Sequence, residues 1–271
     1  MPADAAKPSD LFPLTVVARA LADVKLPSGR FDPKGDWALR YGLITVGQRG
    51  FGRVGSVVLR RQARQDGGAL LRLAYEKAFP GNALGTVTAR MHCRGDALAT
   101  PLGWEMKART LSRDRKPVPH TTIDKRGEAG QREIVLRDDK ATRRIPTPDA
   151  WTVNWALFDV VARLPRKPFE PLRFTLFDDF DEPKPGQALS FRASATVSMG
   201  GRRVKQHRWT QLDKGRVRTT AWGREGDQAV RLHGYDLVGP GLVPVVYWVD
   251  DSGRPLAVVA GLEAYLLEGS P

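Results

Sequence analysis

The sequence predicts a mainly β protein: a strongly curved antiparallel sheet, an unclosed barrel, wrapped around a central helix, with a short N-terminal helix added. Three observations predict it. Apolar and polar residues alternate with period two along most of the chain, most cleanly where Leu189, Phe191, Ala193, Ala195, Val197 and Met199 alternate with Ser190, Arg192, Ser194, Thr196 and Ser198. Predicted strands outnumber helices about five to one, without the strand–helix alternation that builds parallel units. One mid-chain segment is apolar around nearly its whole circumference, which suits a helix that is enclosed rather than laid on a surface.

Residues 1–8 read as a flexible tail and residues 9–268 as a single β-rich domain. Leu11, Phe12, Leu14, Val17, Ala18 and Leu21 place an amphipathic helix over 10–22, capped by Ser9 or Asp10, with Pro13 in its tolerant first turn. Strands follow from Trp37, from Val54 to Arg64 and from Ala69 to Lys77, the last two joined by Asp66-Gly67-Gly68. Val87, Ala89, Met91 and Cys93 form the buried parity of the next strand, and Trp104, Met106 and Ala108 that of the one after. The polar stretch from Asp114 to Pro148 holds short strands at 121–125 and 133–137. The enclosed helix is placed over 148–164, with Thr147 as cap, Pro148 in the first turn and Pro165 as its stop. Further strands at 189–199, 204–211, 230–237, 243–249 and 256–267 complete the meander, the last two around the turn Asp250-Asp251-Ser252-Gly253-Arg254.

Composition removes several classes. A chain of 271 residues with one cysteine, Cys93, and four histidines has no internal disulfide, and its composition does not suggest a cysteine- or histidine-built metal centre. No apolar run reaches the ~18–20 residues of a membrane-crossing helix. No metal site and no cofactor are expected. The net charge of +13 sits mostly in the first 150 residues, and arginine dominates it. Arg40, Arg53, Arg60, Arg61 and Arg64 follow one another with no acidic residue between them, so a site for a polyanion such as nucleic acid or an acidic glycan is the alternative reading. Solvated sheet faces account for the same charges, and the absence of any aromatic between Arg53 and Arg64 argues against nucleic acid.

Other motifs carry less. Gly50-Phe51-Gly52-Arg53-Val54-Gly55 has the letters of a dinucleotide fingerprint, but β-branched Val57 and Val58 follow where a helix should open, so a hairpin is expected. Asp178, Asp179, Asp181 and Glu182 lack the spacing of a calcium loop and read as a solvated turn. A Ser/His/Asp set could be drawn from His92, His120, His207 or His233, yet no Gly-x-Ser-x-Gly elbow presents a nucleophile. Cys93, on the inward parity, reads as a buried inert thiol. No catalytic residue is assigned.

The segment Tyr247-Trp248-Val249-Asp250-Asp251-Ser252-Gly253-Arg254-Pro255-Leu256, an aromatic-Trp strand, a short acidic turn and an apolar return, resembles the C-terminal hairpin of secreted bacterial β-rich proteins of the lipoprotein-carrier (LolA/LolB-like) superfamily. The resemblance spans residues 36–268 at the level of topology. It implies a hydrophobic cavity for a lipid-like ligand, a periplasmic or secreted location, and an envelope protein as partner. Its implied lining, taken from the large apolar residues of the inner parities, is Trp104, Met106, Trp151, Trp155, Phe158, Phe191 and Trp248.

Overall fold

A computed structural model describes residues 21, 24, 29–47, 50–79, 81, 83–199, 202–212, 215–226, 228–269 and 271. The tail and the N-terminal helix fall outside this set, apart from Leu21, which is buried. Eight strands form a continuous antiparallel meander: β1 (Trp37–Gly47), β2 (Gly50–Ala63), β3 (Ala69–Ala78), β4 (Leu84–Cys93), β5 (Pro101–Leu111), β6 (Ile123–Ala129), β7 (Glu133–Asp138) and β8 (Thr142–Pro146). After them come β9 (Trp151–Val153), a 3-10 turn (Asn154–Ala156), the helix α1 (Leu157–Arg163), β10 (Leu172–Asp178) and β11 (Glu182–Met199). A separate two-stranded ribbon, β12 (Arg202–Leu212) and β13 (Gly215–Glu225), precedes β14 (Gln228–Val238), β15 (Val245–Asp250), β16 (Pro255–Ala260) and β17 (Glu263–Gly269).

Fifteen strands make one sheet in the order 8-7-6-5-4-3-2-1-17-16-15-14-11-10-9. The C-terminal strands add to β1, so the first and last strands meet in the middle of the sheet. Its two outer edges, β8 and β9, are only four residues apart in sequence, which requires the sheet to curl until the edges approach each other. Every pairing is antiparallel except β9 with β10.

The alternation delivers the inner face. On β5, Trp104 and Met106 are buried while Glu105 and Lys107 are exposed, and on β3 Leu71 and Leu73 are buried beside exposed Arg72 and Ala74. Trp104 lies flat over its cross-strand partner Gly127, where a Cβ would stand 2.1 Å from the indole. That glycine lets Trp104 reach Trp151 and Phe177, with ring centroids 5.8 and 6.3 Å away. Gly55 has a similar reason, because a Cβ there would lie 2.0 Å from the Glu76 carbonyl oxygen on β3.

The enclosed helix is present, but it is shorter than the sequence predicts. It begins at Leu157, not at Pro148. Trp151, Thr152 and Val153 are instead extended, all three buried, and paired with Thr175, Leu176 and Phe177. A strand buried on both faces shows the same unbroken apolar run as an enclosed helix, and β-branched Thr152 and Val153 favour the extended form. The C-terminal stop is as expected: Leu164, ahead of Pro165, is extended at φ −67°, ψ 152°. Residues 157–162 are all buried. The predicted strand 256–267 divides into β16 and β17 at Gly261, whose φ of +58° turns the chain.

A charged pair fixes the helix inside the barrel. Asp159 Oδ1 accepts from Arg61 Nε at 2.6 Å, and its other oxygen lies 3.0 Å from Arg163 Nη2. Arg61 also donates to the carbonyls of Lys34 and Gly35. Arg61 and Asp159 side chains are 5% and 2% exposed, so neither charge is screened by water.

Candidate functional site

The helix does not fill the barrel. Its last turn packs against the β15–β16 turn, where a Cβ on Gly253 would meet the Ala162 carbonyl at 2.2 Å. At its first turn a cavity of about 610 Å³ remains. The apolar wall is built by Val87, Met106, Ala108, Val245, Val258 and Ala260 from four strands. The 3-10 turn and the helix supply the floor, where Trp155 and Phe158 stack at 6.1 Å with their planes 10° apart. Tyr265 stands edge-on to Trp155 at 6.0 Å, and Tyr247 edge-on to Phe158 at 5.8 Å. Val243 and Ile123, 61% and 46% exposed, mark the open rim.

The polar groups converge from the β10–β11 hairpin. Its tip turns inward through Asp179 and Phe180, two non-glycine residues at φ +46° and +64°, which bury the Phe180 ring in the cavity wall. Asp178 accepts from Lys184 Nζ at 2.7 Å, and Asn154 Nδ2 donates to Asp178 and Asp179, each at 3.2 Å. Asp181 reaches across the open seam of the sheet to Lys125 Nζ on β6, at 2.5 Å, and to Arg143 on β8. Burial, and then Arg143, holds the Lys125 ammonium below its ordinary range, while the bond to Asp178 raises that of Lys184. The acidic cluster is thus a clasp across the seam, not a free solvated turn.

Three tyrosines distinguish the cavity from ordinary core. Among the described residues, the hydroxyls of Tyr75, Tyr247 and Tyr265 have no protein hydrogen-bond partner, although all three residues line the cavity and Tyr247 is 4% exposed. The chain's other two tyrosines are satisfied: Tyr41 donates to the Pro255 carbonyl at 3.0 Å, and Tyr235 to that of Pro165 at 2.9 Å. Burial raises the pKa of all five, and the neighbouring Glu263, Asp178 and Asp179 carboxylates raise the cavity trio further. The phenols therefore stay protonated donors. In the unfolded chain they ionise near the ordinary value of 10.0, so between that pH and the raised folded values the unfolded state holds fewer protons and stability falls with rising pH. Phenolate absorbance at 295 nm is expected to be absent from the folded chain at pH 10 and to appear together with loss of near-ultraviolet dichroism at higher pH.

Of the residues predicted to line a cavity, Met106, Trp155 and Phe158 do so. Trp104 and Trp151 form a buried cluster with Phe177 instead, and Phe191 packs edge-on against Tyr235 at 6.0 Å. Trp248 points away from Tyr247 and covers Gly234, so both faces of β15 are buried and Tyr247, not Trp248, enters the cavity. The predicted anion set also separates. Arg40 and Arg53 share Glu268, Arg64 pairs with Asp66 at 3.3 Å, Arg61 is the buried partner of Asp159, and Arg60 stands exposed without a carboxylate among the described residues. The Gly50–Gly55 stretch runs on as β2, paired with β1, and opens no helix. Cys93 is buried, and burial pushes its thiol well above the ordinary range.

One hydrogen-bonded chain runs through His233, one of the four histidines from which the sequence allows a Ser/His/Asp set to be drawn. Ser194 Oγ lies 2.9 Å from His233 Nδ1, and His233 Nε2 lies 2.8 Å from Asp251 Oδ1. With its proton on Nε2, towards Asp251, the ring accepts from Ser194 at Nδ1. The pairing of β11 with β14 brings Ser194 to His233 and that of β14 with β15 brings Asp251, so the order of residues alone did not single out this set.

No protein-family model matches the chain, and no curated protein matches it. Among solved structures it is similar to a β-barrel-like protein of domain of unknown function DUF1849 from Brucella abortus, with 11% identity and a TM-score of 0.49, over 86% of this chain and 95% of that one.

Proposed function

We propose that the protein is a non-enzymatic binding or carrier protein of the cell envelope, holding an uncharged, largely apolar molecule with oxygen acceptors in the cavity above α1. The observation that carries the reading is the set of partnerless tyrosine hydroxyls in an otherwise apolar cavity of about 610 Å³, a volume typical of small-molecule sites. The three residues line the cavity, and a ligand oxygen there can accept from their hydroxyls. Lys125 and Lys184 are already paired with Asp181 and Asp178, and Asp179 accepts from Asn154, so an anionic head group would enter without a free counter-charge. The envelope location draws its support from the hairpin resemblance.

N-phenyl-1-naphthylamine, which fluoresces in apolar surroundings, tests the cavity, and competition by 1,4-naphthoquinone tests the acceptor preference. Both should bind saturably, with Kd on the order of micromolar. Tyr247→Phe should weaken the quinone about fivefold, the worth of one hydrogen bond, and leave the naphthylamine unchanged. Failure of both probes to saturate would remove the reading.

A hydrolase is the second reading, favoured by the Ser194–His233–Asp251 chain. Against it, the His233 side chain is 3% exposed and that of Asp251 is 71% exposed, so the carboxylate's charge is screened. A fluorophosphonate probe should leave Ser194 unlabelled, and stoichiometric labelling would favour the enzyme.

A further inference from the structure

The register of the sheet assembles a feature on the outer face that the order of residues conceals. Arg60 on β2 lies directly across from Arg72 on β3, Arg72 from Arg90 on β4, and Arg90 from Glu105 on β5. The row continues from Glu105 to Arg126 on β6 and from Arg126 to Arg137 on β7. All six side chains are exposed. Five interstrand steps of ~4.8 Å give the row a length of roughly 24 Å. Among the described residues, Arg60, Arg72, Arg90 and Arg126 have no carboxylate within ion-pairing distance, and Arg137 lies 3.5 Å from Glu128.

Stability does not explain this row. Like charges directly opposite one another on neighbouring strands destabilise a sheet, and here two such pairs, Arg60–Arg72 and Arg72–Arg90, stand side by side, with a third at Arg126–Arg137. The field is felt by His92 at the end of β4: burial first, then Arg90, Arg64 and Arg72, hold its imidazole below the ordinary histidine range. Guanidinium forks held at fixed spacing on rigid strands suit phosphate, sulfate or carboxylate groups.

We propose that this row of arginines is a binding surface for a flexible linear polyanion lying across the strands. The shape of the sheet selects that occupant. The row crosses six of fifteen strands in a sheet whose edges approach each other, so it bends around a large part of the barrel's circumference. A flat anionic bilayer touches such a convex arc at two or three arginines at most, whereas a flexible chain follows all of it. Single-stranded nucleic acid would be expected to find aromatic stacking platforms. Among the described residues the exposed aromatic is Phe79, beneath the Lys77 ammonium at the far end of β3 and outside the row.

The test uses the full chain and fluorescein-labelled heparin, read by anisotropy across a salt series, with phosphatidylglycerol vesicles and oligo(dT) in parallel. Heparin should bind, and log K should fall against log salt with a slope of about −3, as four released counterions require. Arg72→Glu with Arg90→Glu should weaken binding about tenfold or more, and Glu105→Gln should tighten it about twofold, a gain that misfolding cannot produce. Naphthylamine binding in the cavity should be the same in every variant, so this result and the cavity reading fail separately. The proposal is overturned if heparin does not bind at low salt, if the double variant binds as the parent does, or if vesicles or oligo(dT) are preferred through the same arginines.

Discussion

Asp159→Asn should destabilise the fold by about 3–5 kcal/mol, the cost of stranding a buried charge whose partner is removed. Arg61 would then keep its guanidinium inside the barrel with only the carbonyls of Lys34 and Gly35 to receive it. Arg163 would lose its carboxylate as well. Arg61→Met with Asp159→Leu removes both charges and should recover most of the loss, because apolar residues of similar size tolerate that site. Urea unfolding followed by linear extrapolation measures both, with a lower midpoint and an unchanged slope expected for the single variant. A loss below about 1 kcal/mol for Asp159→Asn, the size of an exposed pair, would mean that the pair does not hold the helix in place.

Ala108→Trp combined with Ala260→Trp should abolish naphthylamine binding, with at least a tenfold rise in Kd and no fall in melting temperature. Both alanines line the cavity from opposite parts of the sheet, and neither belongs to the helix clamp or to the seam. Filling empty apolar space brings new contacts without stranding a polar group, which is why affinity falls while stability holds. If the double variant melts lower and binds as before, the probe occupies another surface.

The strands were legible wherever one face is wet. Alternation marks β3, β5 and β11 because Arg72, Glu105 and Ser190 interrupt the apolar sequence at every second position. It fails for Trp151–Val153, where both faces are buried and no polar residue reveals the period. It gives no register. The arginines at 60, 72, 90, 126 and 137 look scattered in sequence, while the consecutive run from Arg40 to Arg64 looked like the patch and is largely paired or buried. The cavity was partly legible through the apolar residues around the helix. Its polar half was not, since Tyr75, Tyr247 and Tyr265 come from three strands, and the wish for a partner of each phenol shows only when the strands are assembled. A sequence signal did exist: each tyrosine occupies the inward parity of its strand, where a hydroxyl needs an explanation.

The most direct test of an occupied interior is a crystal structure of the chain with N-phenyl-1-naphthylamine. The naphthyl ring is expected on the floor formed by Trp155 and Phe158. Density for the probe only on the outer face of the sheet, or side chains collapsed into the space above the helix, would contradict the account.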